Sequence, residues 1–419
     1  MSFLTSSDAY TRNLLIIIGL ALLVRILWLV MIPVIPVSDS VMYHAFAQSI
    51  SSGSGYAYPE GHLTAYWPVG TPAIYGALYY VFGENYNVIV GLNLVVGIAT
   101  LVLMMSLARQ WFNVGTAYLV GLVYAFWPSQ IQFTTVLASE MLFNVFMLLG
   151  LYFWYKNTPN QLVKWLLSAA FFVAAAYVRP IALLIPFILI GITFLNTFNF
   201  KQTILASIVT VLTMAILISP WAMRNYDLFG EVVLISTNGG PVFWMGNNPD
   251  STGEYMPLKE GLHFDSEVER AEYYKSQAVA HIKEEPALFV RRMAKRFVDY
   301  YRSENIGVVW NLEGIKAINA EKMVMPLKII SSGYWLLLVI LSIYALVLLI
   351  RERGLIPVSL QTPIIALIGY NTVLHTIIAS GDRYHFPIIP FIGILAGYAL
   401  FRLIERWQSD KQNGAIYTQ

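Results

Sequence analysis

Cysteine is absent from the chain, and charged residues are scarce for its length. Of the 419 residues, 12% are charged, about half the fraction that is usual in soluble domains. Without cysteine there is no disulfide framework, and there is no thiolate to act as a metal ligand or a nucleophile. A net charge of only +2 provides no general positive field for nucleic acid. We therefore expect no nucleic-acid partner and no thiolate chemistry.

Sequence motifs for nucleotide hydrolysis and for the common hydrolases are also missing. The chain contains no GxxxxGK(S/T), HExxH or GxSxG pattern. ATP-driven transport and the usual zinc and serine hydrolase mechanisms therefore have no support. No internal repeat is visible, so the inverted symmetry of many secondary transporters has no support either.

Long apolar runs fill most of the chain, 57% of which is hydrophobic. The first run, residues 13–35, is long enough to cross a hydrocarbon core, and no small-residue cleavage site follows it, so we expect a retained anchor. Nine more runs begin near Val88, Gly115, Ser139, Lys164, Ile181, Lys201, Lys328, Thr362 and Phe386. The pattern predicts an all-α polytopic membrane protein with about ten transmembrane helices. Both termini should then lie on the same side.

Positive charge is divided unevenly between the loops on the two sides of the predicted membrane. One set of loops carries Arg12, Arg109, Lys156, Lys164, Lys201, Arg351, Arg353, Arg402, Arg406 and Lys411. The opposite short segments, 36–67 and 128–138, carry no lysine or arginine. Loops rich in these residues face the cytoplasm. We therefore expect a multi-pass protein of the inner (plasma) membrane, with both termini inside and a site facing the periplasm or exterior.

Two segments on the predicted outer side are too long and too polar to be simple connections. The first, residues 36–86, belongs to a predicted transmembrane module that covers residues 1–220. The second forms a predicted external loop domain, residues 221–326. Residues 327–419 then provide the C-terminal transmembrane helices and a short cytoplasmic tail.

The second long segment contains two predicted helices next to the membrane. Residues 265–283 form the first, capped by Asp265 or Ser266. Residues 287–301 form the second, after Pro286, a residue type favoured in a first helical turn. Leu288, Phe289, Met293 and Phe297 mark one face of the second helix, and Arg291, Arg292, Lys295 and Arg296 mark another. Such a basic, amphipathic pair either lies on a membrane surface or packs in a small external domain.

Two acidic residues stand at the predicted outer ends of spans. Asp39 follows the first span and opens a short helix, where a carboxylate can accept a proton from an acceptor hydroxyl or simply cap the helix. Glu140 follows Ser139 at the start of the fourth span, an ordinary arrangement of cap and first-turn acid. On its own, Glu140 carries little functional weight.

Three arginines lie at outer span ends, and they are Arg179, Arg224 and Arg383. A guanidinium group binds phosphate through two parallel hydrogen bonds. The alternative is that each arginine extends to lipid headgroups. Three of them on a face that otherwise has little basic charge favour an anionic ligand. Asp382 either orients the neighbouring Arg383 or neutralises it.

Residues suited to sugar binding occur in the long segments. Asn238 lies in the run 236–240, and Trp244 and Asn247 follow it, so an amide and an aromatic face suited to sugar rings lie near flexible glycines. The alternative is a plain, turn-rich loop. His62 and Tyr66 precede Trp67 in the first segment, where a lone histidine is usually just solvated.

Taken together, these segments resemble membrane glycosyltransferases of the GT-C fold, in the broad group of glycosyltransferase family 39, with protein O-mannosyltransferases and lipid A aminoarabinose transferases. The resemblance covers nearly the whole chain. It is carried by Asp39 with Tyr43, by 67–72, Ser139-Glu140, Arg179-Pro180, 220–226, 236–240 and 246–249, and by Arg383-Tyr384. Two departures are present: Ser40 stands where many relatives have a second acid, and no lysine lies near Trp67, unlike in the aminoarabinose transferases.

The resemblance implies an inverting transfer of a sugar from a polyprenyl-phosphate donor to a lipid, glycan or protein acceptor on the outer face. Asp39 would be the base, with Glu140 beside it, and the three arginines would hold the donor phosphate. Tyr43 and Tyr384 join the candidate substrate-binding residues. A divalent cation is used by oligosaccharyltransferase relatives, but only Asp39 and Glu140 are obvious ligands here. The alternatives are a transporter or flippase of lipid-linked saccharides, or an O-antigen-type polymerase or ligase.

Overall fold

The computed structural model describes residues 7–254, 256–258 and 261–416, and the regular elements of these ranges are all helices, with one isolated bridge between Ala57 and Leu63 and no strand. The first half contains α1 (Ser7–Met31), α2 (Asp39–Ser51), α3 (Gly70–Phe82), α4 (Tyr86–Trp111), α5 (Val114–Ala125), α6 (Pro128–Gln132), α7 (Glu140–Tyr155), α8 (Gln161–Val178), α9 (Ile185–Thr197) and α10 (Phe200–Phe229). The second half contains α11 (Gly239–Asn247), α12 (Glu267–Glu284), α13 (Pro286–Arg302), α14 (Ile306–Trp310), α15 (Leu312–Ala317), α16 (Val324–Arg353), α17 (Leu355–Gln361), α18 (Ile364–Ile377) and α19 (Ile389–Ile416). The all-α prediction is confirmed.

The number of membrane-crossing helices is lower than the predicted ten. In the described ranges, seven helices are long and apolar enough to cross a membrane, and up to nine if each of two bent pairs is one span. The bent pairs are α6 with α7, at 117°, and α17 with α18, at 88°. The run that begins near Gly115 forms only α5, with 12 residues. Such a helix is about 18 Å long, too short to cross a bilayer alone.

Residues 112–139 nevertheless carry the chain from one end of the bundle to the other. The last residues of α4 and α7 lie together, with the rings of Trp111 and Tyr155 5.5 Å apart. Because α7 begins at Glu140, the chain must travel the length of α7 between Trp111 and Glu140. Helix α5 and the residues after it provide this passage. We call the end that holds Glu140 the site end and the other the far end.

Both ends of the described chain lie at the far end of the bundle. Arg109, at the end of α4, stacks over Tyr10 in the first turn of α1, 4.4 Å from its ring centroid. In the last helix, Tyr398 lies 4.7 Å from Phe112. This arrangement agrees with the expected same-side termini.

The bundle core is one continuous buried apolar cluster to which α4, α5, α7 and α19 contribute many residues. Arg25, inside α1, is fully buried in it. Its guanidinium donates to the carbonyl oxygens of Ala21, Tyr124 and Ala125 and lies over the Tyr124 ring. Arg25 is thus paired within the bundle by backbone carbonyls, two of which belong to the end of α5, where carbonyl oxygens lack intrahelical partners.

The two helices predicted in the second long segment are confirmed as α12 and α13. Ser266, not Asp265, caps α12, accepting the amide of Glu269 at 3.1 Å. Helix α12 packs on α11, and α13 packs on α18. The predicted division of faces on α13 is partly wrong, because Arg296 is fully buried against the protein whereas Phe297 is 52% exposed. The reason is that the end of α18 at the site end of the bundle offers carbonyl oxygens, which attract the basic face.

Candidate active site

Asp39 opens α2 immediately after α1 has ended and the chain has turned. The preceding residue, Ser38, has φ of 51° and makes no side-chain cap bond. Residues other than glycine adopt such a conformation at an energetic cost, and such strain is typical of functional sites. The Asp39 carboxylate does not cap α2 but accepts a hydrogen bond from Nη1 of Arg383. The capping interpretation of Asp39 is therefore wrong in this structure.

Arg383 lies in the turn between α18 and α19, where it pairs with Asp39. The two side chains are equally accessible, each 23% exposed. The guanidinium is flanked by the rings of Trp310 and Tyr384, 5.6 and 5.3 Å from their centroids. Burial lowers the pKa of Arg383, but Tyr384, Asp39 and Glu140 together raise it above its ordinary value. Arg383 is therefore a permanent cation at the site end.

The neighbouring Asp382 neither orients nor neutralises Arg383. Its carboxylate accepts the backbone amide of Asn305 at 2.7 Å. The sequence interpretation of Asp382 is corrected accordingly, since the partner of Arg383 comes from the first helix after α1. The carboxylate that balances the charge of Arg383 is therefore brought close by the fold and is not a neighbour in the sequence.

Glu140 and Arg179 form a second pair of opposite charges. Nη2 of Arg179 donates to Oε1 of Glu140, and its Nε donates to the hydroxyl of Ser139 at 3.1 Å. Glu140 is 1% exposed and Arg179 16%. Ser139 was expected to cap α7, but it makes no cap bond because its hydroxyl lies between Arg179 and Glu140. Glu140 is thus a buried partner that orients Arg179.

Tyr43 connects the two pairs into one site. Its hydroxyl lies under the influence of Ser139 and of the negative charges of Asp39 and Glu140. Burial, then Asp39, then Glu140 raise the pKa of Tyr43 above its usual value, so the hydroxyl stays protonated at neutral pH. Its ring packs edge-on against Trp67 at 5.2 Å. Tyr43, predicted from the resemblance, therefore lies at the centre of the candidate site.

Interhelical hydrogen bonds bring these residues to one end of the bundle. Asn144, one turn after Glu140, donates to the carbonyl of Phe386 at 3.0 Å and so joins α7 to the start of the last span. Tyr75 donates to the carbonyl of Ala138 at 3.1 Å. Gly70 allows α3 to approach the chain just before Arg179, since a Cβ there would lie 2.6 Å from the backbone of Tyr177. The site is therefore fixed from several directions.

Arg224 lies outside this cluster. Its guanidinium donates to the carbonyls of Thr64 and Tyr56 and to the side chain of Asn225. In the described ranges, no hydrogen bond or ion pair joins Arg224 to Asp39, Glu140 or their partners. Arg224 thus fastens the first long segment to α10, and the expected trio of arginines is reduced to a pair.

The residues predicted to bind sugar from loop composition are scattered. His62 is exposed near a loop tip, and Tyr66 lies under Arg270 at 4.6 Å. Asn238 accepts a hydrogen bond from Ser236, and the Trp244 ring lies 6.2 Å from that of Tyr274.

Asn247 is a correction to the sequence prediction. It is 1% exposed, and its amide nitrogen donates to the carbonyls of Phe243, Ile377 and Ile378. Its amide oxygen accepts from Arg296 at 2.9 Å. No polar atom of Asn247 remains for a sugar, because buried polar groups take protein partners when these lie in reach.

Three aromatic or imidazole residues at the site were missed by sequence analysis. His375 lies in α18, with its ring 5.0 Å from Tyr384 and 5.8 Å from Tyr300, and its Nε2 is buried without a hydrogen-bond partner. Trp310 covers Arg383. A signal for His375 existed, because a lone ionisable residue within an apolar run is a functional candidate. Nothing in the sequence singled out Tyr300 or Trp310.

The site offers few side-chain ligands for a divalent cation. Calcium and magnesium prefer six or more oxygen ligands, with several from carboxylates or water. Across the described part of the chain, no group of three or more His, Asp or Glu side chains converges. Asp39 and Glu140 each already face an arginine. The described site thus offers two carboxylates, and each is already engaged by a guanidinium.

An apolar groove of about 730 Å³ opens beside the site. Its walls come from α2, α3, α7, α8 and α10, and include Ile74, Phe146, Ala174, Tyr177 and Trp221. Phe146 is six residues along α7 from Glu140, about 9 Å by helical rise. The groove therefore runs from the neighbourhood of the Glu140–Arg179 pair along apolar helices.

The fold is similar to that of solved membrane glycosyltransferases. The oligosaccharyltransferase AglB of Archaeoglobus fulgidus, in complex with an inhibitory peptide and a dolichol-phosphate, gives a TM-score of 0.57 at 11% identity, with 97% of this chain covered. Its apo form gives 0.59 at 12% identity and 98% coverage. ArnT of Cupriavidus metallidurans, bound to undecaprenyl phosphate, gives 0.56 at 17% identity and 98% coverage.

This chain spans 52% of the archaeal protein and 64% of ArnT. No family model matches the sequence, and no curated protein matches it. At these identities the similarity concerns the fold, and the chain has the GT-C fold of multi-pass membrane glycosyltransferases. The expected fold class is thus confirmed.

Proposed function

We propose that this protein is an inverting glycosyltransferase that moves a sugar from a polyprenyl-phosphate donor to an acceptor at the outer face of the inner membrane. The observation that carries the proposal is the convergence of Asp39–Arg383 and Glu140–Arg179 around Tyr43 at one end of a GT-C bundle. The two arginines can stabilise a phosphate leaving group, and the partly exposed Asp39 carboxylate can act as a base.

The donor phosphate is assigned to Arg383 and Arg179. The phosphodiester of the donor is an anion, and it presents a pair of oxygen atoms that a guanidinium can bind through two hydrogen bonds. ArnT bound to undecaprenyl phosphate and AglB with dolichol-phosphate have the same fold, which supports a donor of this chemical class. On binding, Arg383 would turn from Asp39 to the phosphate. That exchange would free the Asp39 carboxylate next to the sugar.

The transfer then follows from the charges at the site. Asp39 accepts the proton of the acceptor hydroxyl as its oxygen forms a bond to the anomeric carbon. The bond between that carbon and the phosphate oxygen breaks on the opposite face, and its electron pair leaves with the polyprenyl phosphate. Arg383 and Arg179 stabilise the negative charge that grows on the leaving oxygen. Buried Glu140 keeps Arg179 in place, and protonated Tyr43 donates a hydrogen bond.

The apolar groove lined by Ile74, Ala174 and Trp221 is assigned to the first isoprene units of the donor. It is bounded by helices and lies beside the arginines, so a phosphate at Arg179 would place the lipid chain at its mouth. Apolar surface of this extent binds a hydrocarbon chain through the hydrophobic effect. This groove distinguishes a lipid-linked donor from a nucleotide sugar, which needs polar recognition.

More specifically, we propose that the protein belongs to the glycosyltransferase family 39 group and that its acceptor is a lipid, a glycan or a protein. The order of motifs from Asp39 to Arg383 supports it. The peripheral aromatic and amide groups Tyr66, Trp244 and Asn238, with Tyr384, remain candidates for acceptor or sugar contacts.

The proposal is tested with purified protein in nanodiscs and a panel of radiolabelled polyprenyl-phosphate sugars. The expected result is release of polyprenyl phosphate together with a labelled product of inverted anomeric configuration. Recovery of intact donor, moved across a liposome membrane but uncleaved, would identify a transporter and reject the proposal.

A further inference from the structure

The turn that carries Arg383 is fastened to another part of the chain at four points. Residues 377–385 run beside residues 296–305, which end α13 and lead to α14. Ser380 donates to the carbonyl of Arg296 at 2.9 Å, and Asn305 donates to Asp382 at 2.7 Å. His385 Nδ1 lies 2.9 Å from the carbonyl of Tyr300. Together with the contacts of Arg296 below, these bonds define the clamp, residues 296–305.

Arg296 makes the first and most extensive of these contacts. It is fully buried, and its Nη1 donates to the carbonyls of Ile377 and Ile378 at 2.7 and 3.0 Å. These carbonyls belong to the last turn of α18, where helices have unpaired oxygens and a negative partial charge. A cation placed there stabilises the helix end. Arg296 therefore fixes where α18 stops and the Arg383 turn begins.

The segment around Gly246 approaches the same helix end from another side. Asn247 donates to the carbonyls of Ile377 and Ile378 at 3.0 and 3.2 Å and accepts from Arg296. A Cβ on Gly246 would lie 1.8 Å from the carbonyl oxygen of Ile378, so only glycine permits this contact. The Gly246-Asn247 sequence, first interpreted as a sugar site, thus supports the clamp from the other side of the helix end.

A buried arginine of this kind is unusual because no carboxylate balances it. In the described ranges Arg296 forms no ion pair, whereas the nearby Asp299 pairs with Lys295 and Arg302. Burial, with a contribution from Arg292, lowers the pKa of Arg296 to about 10. The group is still charged at neutral pH. A buried charge is costly unless its hydrogen bonds are satisfied. We therefore expect the loss of the Arg296 charge, or of the carbonyl oxygens that it binds, to disturb this region strongly.

We propose that Arg296, supported by Asn247, is a positioning residue that holds the α18–α19 turn so that Arg383 reaches Asp39 and the donor phosphate. The inference rests on the proposed function of Arg383. Arg296 contacts neither Asp39 nor Arg383, so its whole effect passes through the backbone of residues 377–385. Arg296 would thereby act on the reaction without touching the substrate.

The first test is independent of catalysis. The cysteine-free chain accepts a single spin label at Gly381→Cys, where a Cβ meets only the ring of Tyr384 at 3.6 Å. Arg296→Gln should increase the mobility of this label, whereas Arg291→Gln, an exposed arginine of the same helix, should not. A second label at Ser54→Cys serves as a remote control. Native mobility of the Gly381 label in Arg296→Gln would overturn the proposal.

The second test uses the transfer reaction in unlabelled protein. Arg296→Gln should lower turnover about a hundredfold, the scale expected when a reacting group moves by about 1 Å, and Arg291→Gln should not. In an Arg383→Ala background, measured at high enzyme concentration, Arg296→Gln should cause little further loss, because residues that act through one group are not additive. An equal fold-loss in both backgrounds would overturn the proposal.

Two more variants keep the tests decisive if Arg296→Gln does not fold. Arg296→Lys retains the charge but loses the planar fork, so label mobility and turnover should fall between those of wild type and Arg296→Gln. Asn247→Ala weakens the clamp from its other side and should also release the label. Native label mobility in both would contradict the clamp. If no variant and no wild-type sample transfers sugar, the proposed function fails, while the label result still decides whether Arg296 holds the turn.

Discussion

Arg383 donates a hydrogen bond through Nη1 to Oδ2 of Asp39, a residue 344 positions earlier in the chain. This contact joins the turn before the last helix to the first helix after α1. Bringing together two residues so far apart in the chain costs conformational entropy. One partly exposed ion pair offsets little of that cost. Packing of the bundle must therefore supply the energy that brings the two residues together. A pair that stabilises the fold so little is better explained by a function at the site.

Arg383 substitutions should separate charge from geometry. Arg383→Lys retains a positive charge but loses the two-pronged contact with phosphate, so its turnover should fall less than that of Arg383→Ala. For Arg383→Ala we expect a loss of about a hundredfold or more in kcat/KM, comparable to the removal of a group that stabilises transition-state charge. Steady-state kinetics with a polyprenyl-phosphate sugar measures both. Equal activity of the alanine variant and wild type would remove Arg383 from the reaction. Arg291→Ala, at an exposed arginine outside the clamp, provides the control.

The Glu140–Arg179 pair should show the signature of a buried ion pair. Arg179→Ala leaves the 1%-exposed Glu140 carboxylate without its cation, and breaking such a pair costs about 3–5 kcal/mol. The double variant Glu140→Leu/Arg179→Met removes both charges and should recover much of that stability while remaining inactive. Thermal unfolding in detergent, with activity measured in parallel, checks both statements. A double variant less stable than Arg179→Ala would contradict the buried-pair description.

The apolar groove predicts a dependence on lipid length. Ala174→Phe places a large ring in the groove and should raise the KM for a long-chain polyprenyl donor more than for a short, soluble analogue. The matched control is Ala77→Phe on α3, where the alanine is exposed and does not line the groove. The measurement is KM for each donor in all three proteins. An identical change in KM for long and short donors would exclude the groove as the isoprenoid site.

Much of the fold was predictable because composition and loop charge act over many residues. Nine of the ten apolar runs correspond to long helices or bent helix pairs. The exception, the run near Gly115, is divided by Phe126 and Trp127 before Pro128, and the helix break between α5 and α6 shortens α5. Proline disfavours helix at the residue before it. The length of an apolar run alone does not show where the helix within it breaks.

The site was only partly predictable, for a different reason. Residue types at span ends singled out Asp39, Glu140, Arg179 and Arg383, but they did not show which of these residues would form pairs. The partner of Arg383 is Asp39 and not the adjacent Asp382, because folding over hundreds of residues decides the contact. For a similar reason, the sequence did not show that Asn247 is buried at the end of α18. A glycine-asparagine sequence that suits a sugar-binding loop also suits hydrogen bonding to a helix end. A single sequence does not distinguish these uses.

Topology can be tested by labelling in this cysteine-free chain. Ser54 and Ser409 are both exposed and lie, respectively, in the first long segment and in the last helix. Single cysteines at these positions should react with a membrane-impermeant maleimide from opposite sides, Ser54→Cys from outside and Ser409→Cys only after permeabilisation. The basis is the positive charge of the far-end loops. Labelling of both from one side in intact cells would contradict the proposed orientation.

The central claim is most directly tested by one comparison of wild type and Asp39→Asn. Asparagine keeps the size of aspartate and a hydrogen-bonding oxygen for Arg383, but it cannot act as a base at neutral pH. With a labelled polyprenyl-phosphate sugar and acceptor, turnover in Asp39→Asn should fall about a hundredfold or more, the scale of general base catalysis, while donor binding by the same protein persists. Near-native sugar transfer by Asp39→Asn would contradict the account.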